Sequence, residues 1–200
     1  FDIVYTFTTA CGLRADTQQI TVNPAPIVTL PVLVDVCVDG SPINLPAGSP
    51  AGGTYAGTGV IGNQFYPGTA GVGTFDVVYS FTAINGCSAS DTQQITVNPL
   101  PTVTFAPLAD VCIDAGPLTL SGGMPMGGSY SGPGVAAGQF DASIAGLGTH
   151  TLVYTYSNAN GCADTAQQSI TVNDLPVVTW QALPNVCAND VAITLSGGLP

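Results

Sequence analysis

Between Phe75 and Thr82 the chain alternates, with Phe75, Val77, Tyr79 and Phe81 on one face and Asp76, Ser80 and Thr82 on the other. The alternation returns at His150, Leu152, Tyr154 and Tyr156 against Thr149, Thr151 and Thr155. A period of two with one apolar side predicts a strand buried on that side alone. Asn85-Gly86 and Asn160-Gly161 follow these runs, and each leads into a second long strand ending in Ile-Thr-Val-Asn. Asn-Gly between two such runs predicts a hairpin, because both residues accept the positive φ of a tight turn. Short strands are predicted upstream at 28–30, 43–45 and 53–55, with a small hairpin over 60–65. No stretch carries a sustained helical period.

These patterns recur at a fixed interval. PIVTLPVLVDVCVDG begins at Pro26, PTVTFAPLADVCIDA at Pro101 and PVVTWQALPNVCAND at Pro176, each 75 residues after the last. FDIVYTFTTACG from Phe1 matches FDVVYSFTAINGC from Phe75 and THTLVYTYSNANGC from Thr149. The chain therefore reads as the end of one repeat (1–23), two whole repeats (26–98 and 101–173) and the start of another (176–200). Counting the small hairpin as two strands gives seven per repeat, so the fold class is all-β: tandem Ig-like seven-stranded antiparallel β-sandwich repeats. Seven antiparallel strands put the two ends of a repeat at opposite poles. The links NPAP, NPLP and NDLP are short and carry proline, so successive repeats are expected to stack end to end with limited swing, about 35–45 Å per step.

Composition narrows the chemistry. Charged residues make up 6% of the chain, with twelve Asp, no Glu, no Lys and one Arg, for a net charge of −11. Binding nucleic acid or an anionic membrane surface needs clustered cations, so no nucleic-acid partner is expected. The most apolar run, 27–38, is interrupted by Pro31 and Asp35 and is too short to span a bilayer, so no membrane insertion is expected. At 46% apolar residues the chain still buries a core.

Five of the six cysteines keep the 75-residue interval: Cys37, Cys112 and Cys187 form one series and Cys87 and Cys162 another, while Cys11 falls one residue short. There is no CxxC and the only histidine is His150, which favours disulfides in an oxidising compartment over zinc. Two pairings stand open. One joins cysteines within a repeat, Cys37–Cys87 and Cys112–Cys162. The other joins Cys37–Cys162 between repeats and leaves Cys11, Cys87, Cys112 and Cys187 to pair outside these 200 residues. The second is favoured, because the two cysteines of one repeat are expected at opposite poles, while bonded Cα atoms must lie within about 7 Å.

Other candidates are few. Asp35 and Asp39, with Asp110 and Asp114, flank a cysteine near the predicted joint, where oxygen ligands would suit calcium; a solvated loop is the alternative, and no other cofactor is expected. Tyr55, Tyr130 and Tyr66 would serve either as a platform for glycans or as inter-strand packing. GTGVIG (57–62) matches a dinucleotide-binding glycine pattern, but no helix follows to receive the phosphate. His150 takes the register of Phe75 on the inward face, and with no Glu, no Lys and one His little remains for acid–base catalysis. No enzyme is expected.

The runs VCIDAGPLTLSGG, GGSYSGPGV, GTHTLVYTYSNANGC and SITVNDLP resemble the Ig-like/PKD-like tandem repeats of very large surface proteins secreted by Bacteroidetes, over essentially the whole chain. The resemblance implies export by a type IX-type route and a role in adhesion, gliding or an extracellular filament. Asp164-Thr165-Ala166 resembles the short O-glycosylation sequon of that phylum and marks Thr165. The expectation is an extracellular or cell-surface stalk or filament whose partners are its neighbouring repeats, with possible lateral self-association into fibres. The alternative is an adhesion module whose repeats bind a glycan or another cell-surface ligand with avidity.

Overall fold

The computed structural model describes residues 1–179 together with 182, 185, 187 and 188. They divide into two compact units, Phe1–Leu100 with Asn160–Cys162, and Pro101–Ala159 with the residues from Ala163 onward. The predicted repeat 176–200 lies largely outside the described residues. No helix among them is long and apolar enough to cross a membrane.

In the first unit β1 (Asp2–Thr9) and β2 (Gly12–Gln19) form a hairpin in register from Asp2↔Gln19 to Thr9↔Gly12. There follow β3 (Val36–Cys37), β4 (Ile43–Asn44), β5 (Thr54–Ala56), β6 (Val60–Ile61), β7 (Gln64–Phe65), α1 (Pro67–Ala70), β8 (Gly73–Thr82) and β9 (Ser88–Asn98). They make a four-stranded sheet, β3-β9-β8-β5, and a three-stranded sheet, β4-β7-β6. The core draws on both sheets: Leu45 and Phe65 meet Val77, Tyr79, Ile95 and Val97, with Leu30 and Leu33 beside them. Of these, the alternation read from the sequence selects Val77 and Tyr79, with Phe75 packed half-buried against them, and each apolar side chain fully removed from water stabilises by about 1.5–3 kcal/mol.

The segment leading into β3 departs from the all-antiparallel expectation. Thr29 makes a single antiparallel bridge to Ser49, and β3 then pairs parallel with the end of β9, Val36↔Val97 and Cys37↔Asn98. Pro31 has no amide to give a ladder, so side chains supply the contacts. The Leu30 amide donates to Asp91 Oδ2 at 2.7 Å, and Asp35 Oδ1 accepts the Thr96 amide at 2.9 Å. Residues 30–37 thus run alongside β9 in the same direction. The chain enters this sheet near the β8–β9 turn and leaves β9 at the far end.

The second unit holds β10 (Thr104–Phe105), β11 (Val111–Cys112), β12 (Leu118–Thr119), β13 (Gly123–Met124), β14 (Ser129–Ser131), β15 (Val135–Ala136), β16 (Gln139–Phe140), α2 (Ala142–Ala145), β17 (Gly148–Ser157) and β18 (Ala163–Asn173). Its sheets are β11-β18-β17-β14, again with one parallel pair at β11, and β12-β16-β15. The bridge at Thr29 has widened here into a two-residue pair, β10 with β13, so nine strands stand where seven were expected. Phe105, Leu120, Phe140, Leu152, Tyr154, Ile170 and Val172 form the core.

The two four-residue helices had no sequence signal. Asp141 caps α2, its Oδ1 accepting the Ser143 amide at 2.9 Å and the Ser143 hydroxyl at 2.6 Å. The Ser143 hydroxyl holds the Asp141 carboxyl below its usual value of 3.8. A carboxyl whose pKa is lower folded than unfolded contributes stability above its unfolded pKa and loses it as pH falls through the folded pKa. Asp141→Asn should therefore melt slightly below the parent at neutral pH, with the difference vanishing under acid conditions below 3.8. Melting curves of both proteins across that range measure it, and a pH-independent difference would remove the carboxylate from the explanation.

Candidate functional site

Cys37 is bonded to Cys162, with Cα atoms 5.6 Å apart and 125 residues between them in sequence. Cys37 ends β3, held opposite Asn98 by the ladder, and the next amide, Val38, donates to the Asn98 carbonyl at 3.0 Å. Cys162 lies in the turn before β18 and is 1% exposed. Gly161, at φ +80°, supplies the positive φ of the Asn-Gly turn, and Asn160 Nδ2 donates to Asn98 Oδ1 at 3.0 Å. Asn160–Cys162 belongs to the first unit, so Asn98 organises both halves of the bond. Burial shields the disulfide, because exchange requires a thiolate to reach a sulfur atom.

The within-repeat pairings Cys37–Cys87 and Cys112–Cys162 do not occur. Cys37 faces Asn98 while Cys87 precedes Ser88, placing them at opposite ends of the eleven-residue β9. At ~3.3 Å per residue those ends are roughly 33 Å apart, far beyond disulfide reach. Cys112, opposite Asn173, and Cys162, preceding Ala163, stand at opposite ends of β18 in the same way.

Cys87 is half-buried, and its Sγ donates to the Asn23 carbonyl at 3.7 Å. Asn85 beside it reaches the Pro24 carbonyl through Nδ2 at 3.4 Å and accepts the Cys87 amide at 3.0 Å. Cys11 and Cys112 are exposed and make no disulfide here, and Cys187 is exposed. Cys11 precedes its turn glycine, Gly12, whereas Cys87 follows Gly86, which places Cys11 in the β1–β2 turn itself.

The calcium candidates divide by role. Asp35 and Asp110 each commit an oxygen to a strand amide, of Thr96 and of Thr171, at 2.9 Å in both cases. Asp39 and Asp114 are exposed. Among the described residues no three His, Cys, Asp or Glu side chains converge to hold a metal.

The tyrosines are built into the packing. The Tyr55 hydroxyl donates to the Pro46 carbonyl at 2.6 Å and accepts the Gly48 amide at 3.0 Å, and its ring lies 4.8 Å from that of Tyr79. Tyr130 accepts the Gly123 amide at 2.9 Å and packs 4.7 Å from Tyr154, while Tyr66 donates to Gln64 Oε1 at 3.0 Å. The alternation puts Tyr79 and Tyr154 beneath them on the buried face, and what their hydroxyls hold is the part that sequence reasoning missed. Tyr79 donates to the Pro50 carbonyl at 2.6 Å and accepts the Gly53 amide at 2.8 Å. Tyr154 repeats this with Pro125 at 2.5 Å and Gly128 at 2.8 Å. Each of these rings rests on glycine, Gly48 and Gly53 in one case, Gly123 and Gly128 in the other, where a Cβ would collide with it. The 75-residue recurrence of Tyr with these glycines was the available signal.

The remaining motifs are structural. GTGVIG turns into the β6–β7 hairpin, with Gly57, Gly59 and Gly62 at positive φ. His150 is half-buried and its Nε2 lies 2.8 Å from the Gly146 carbonyl. Thr165 is exposed on β18 opposite Thr155, its amide donating to Asp164 at 2.7 Å. Asp91-Thr92 is not the counterpart of Asp164-Thr165, because the 75-residue interval and the sheet register both align Asp91 with Ala166, opposite Tyr79 and Tyr154. Two shallow depressions, of about 230 Å³ around Gly123, Met126 and Tyr130 and about 300 Å³ around Tyr55 and Asn63, contain no carboxylate, histidine or cysteine.

No protein-family model matches this chain, and no curated protein matches it. A solved structure described as a Ca2+-stabilised adhesin that helps an Antarctic bacterium reach out and bind ice overlays with a TM-score of 0.43 at 18% identity. The overlap covers 90% of this chain and 57% of that one, so this chain spans little more than half of that structure's length. A likeness at this level carries nothing about ligand or calcium to the present chain.

Proposed function

We propose that this chain is a section of an extracellular structural stalk or filament serving cell-surface adhesion, built from tandem Ig-like repeats of about 75 residues (26–98 and 101–173 complete). The observation that carries this reading is the Cys37–Cys162 bond, which links the first half of one sequence repeat to the second half of the next. A disulfide placed there fixes each step of an array to the next, a purpose that a self-contained domain does not have. Entry and exit at opposite ends of β9, with proline in every link, support serial extension. The bond supports an oxidising, extracellular setting. Bonding along the array accounts for the stalk, and lateral association would add bundling through the sheet edges.

The test uses the aspartates. Cleavage before every Asp puts Cys37 in residues 35–38, Cys87 in 76–90, Cys112 in 110–113 and Cys162 in 141–163, four separate peptides. Digestion of non-reduced protein from its natural extracellular source should yield 35–38 linked to 141–163. Recovery of 35–38 linked to 76–90, or of free thiol at Cys37, would end the proposal.

A further inference from the structure

The structure assigns Cys87 and the apolar face of β1–β2 to a second joint of the same kind; this rests on the reading above and names its partner. The argument is one of equivalence inside the chain. Cys162 occupies the same place relative to β18 that Cys87 occupies relative to β9. Cys162 is bonded to a cysteine set opposite Asn98, and its turn residue Asn160 touches Asn98. Seventy-five residues earlier stands Asn23. Cys87 Sγ already contacts the Asn23 carbonyl, and Asn85 contacts Pro24. One half of the joint is therefore in place, and it defines where the other must be: a cysteine at the end of a short strand running parallel alongside β2 and finishing beside Asn23.

The surface next to that position has a matching gap. Phe1, Ile3, Tyr5 and Phe7 align with Phe75, Val77, Tyr79 and Phe81. Val77 and Tyr79 are 0% and 2% exposed, whereas Ile3 and Tyr5 are 57% and 70% exposed. What covers the buried set is known: Leu30, Leu33, Leu45 and Phe65, all from residues 26–72. The occupant of the β1–β2 face is accordingly a segment with the sequence character of 26–72, whose cysteine corresponds to Cys37. Closure oxidises two thiols to one S–S bond, releasing two protons and two electrons. A small disulfide such as oxidised glutathione accepts both and leaves as two thiols.

The experiment keeps the whole chain and places a copy of residues 26–74 directly before Phe1, so that Thr74 of the copy precedes Phe1 as it precedes Phe75 in the chain. After refolding in glutathione buffer, native alkylation is followed by cleavage before Asp. With V38I in the copy, so that its 35–38 peptide differs in mass from the chain's own, the expected result is loss of Cys87 alkylation and a cross-link between the copy's 35–38 peptide and 76–90, while the chain's own 35–38 stays linked to 141–163 and Cys11 and Cys112 still react. A companion with serine at the copy's cysteine should leave Cys87 reactive yet still slow amide exchange in β1 and β2. If those amides gain no protection, the occupant is wrong. If they gain it while Cys87 in the cysteine-bearing chain reacts as readily as Cys11, the second disulfide is wrong. Either failure leaves Cys37–Cys162, and the function read from it, to be judged on its own cross-link.

Discussion

Gly53→Ala is expected to unfold most of the 26–98 segment, and Gly128→Ala to do the same for 101–173. A Cβ at Gly53 would overlap the tip of the Tyr79 ring and the Ser80 carbonyl, and one at Gly128 would overlap Tyr154 and the Thr155 carbonyl. The ring cannot yield toward the core, where Tyr79 and Tyr154 are among the most completely buried side chains. Overpacking of this kind costs about 1–3 kcal/mol, and pushing the hydroxyl off its two partners leaves buried polar groups unpaired at about 1–3 kcal/mol more. Against about 5–15 kcal/mol for an ordinary domain, and the lower end for one this small, most of the stability is lost. Amide exchange reads the effect with an internal control, since Gly53→Ala should release β8 and β9 while β17 and β18 keep their protection. Tyr79→Phe removes only the hydroxyl and should cost less than Gly53→Ala. If the two cost the same, or if alanine is neutral, the ring-on-glycine contact does not hold the loop.

The second large effect belongs to the disulfide. Removing a cross-link that closes a loop of 125 residues releases chain entropy worth up to about 5 kcal/mol, against about 2–4 kcal/mol for typical bonds. Cys37→Ser and Cys162→Ser should each lower the urea midpoint by nearly the same amount, and the double variant should add little to either. Neighbours that act through one bond are non-additive in this way. The parent protein in reductant should fall to the level of the variants. Additive losses would mean that the two side chains contribute by packing and that the bond itself adds little.

Much of this architecture is legible in the sequence, and the reasons are physical. β8, β9, β17 and β18 are long, half-buried strands, and such strands write their geometry as alternation. The 75-residue interval carries over into real structural equivalence at Tyr79 and Tyr154. The structure holds the Cys37–Cys162 bond, the pairing that the length of these strands favours over a bond within one repeat. Residues 30–37 were harder. Leu30 and Leu33 are three apart, Pro31 interrupts the run, and the segment is held by carboxylates in place of a ladder. No local period announces a parallel pair of two residues. Asp35 and Asp110 read as metal candidates because composition cannot distinguish a carboxylate aimed at an amide from one aimed at an ion. Gly53 reads only as the start of a short strand, since its purpose there and at Gly128, making room for a ring, depends on a tyrosine 26 positions away.

One property of the Cys37–Cys162 bond concerns load. A pull applied at the two ends of the chain takes the shortest covalent route, and that route crosses from Cys37 to Cys162 through sulfur. The 125 residue steps between them, with the whole β8–β9 hairpin and β17, fall outside the path of the force, while β18, beyond Cys162, stays within it. The β8–β9 hairpin can lose its structure to heat, but end-to-end traction on the oxidised chain does not unzip it. Roughly 400 Å of potential extension stays locked away, and reduction alone makes it available. The compliance of the stretch between the two cysteines is thereby set by the redox state of its surroundings more than by the strength of its sheets.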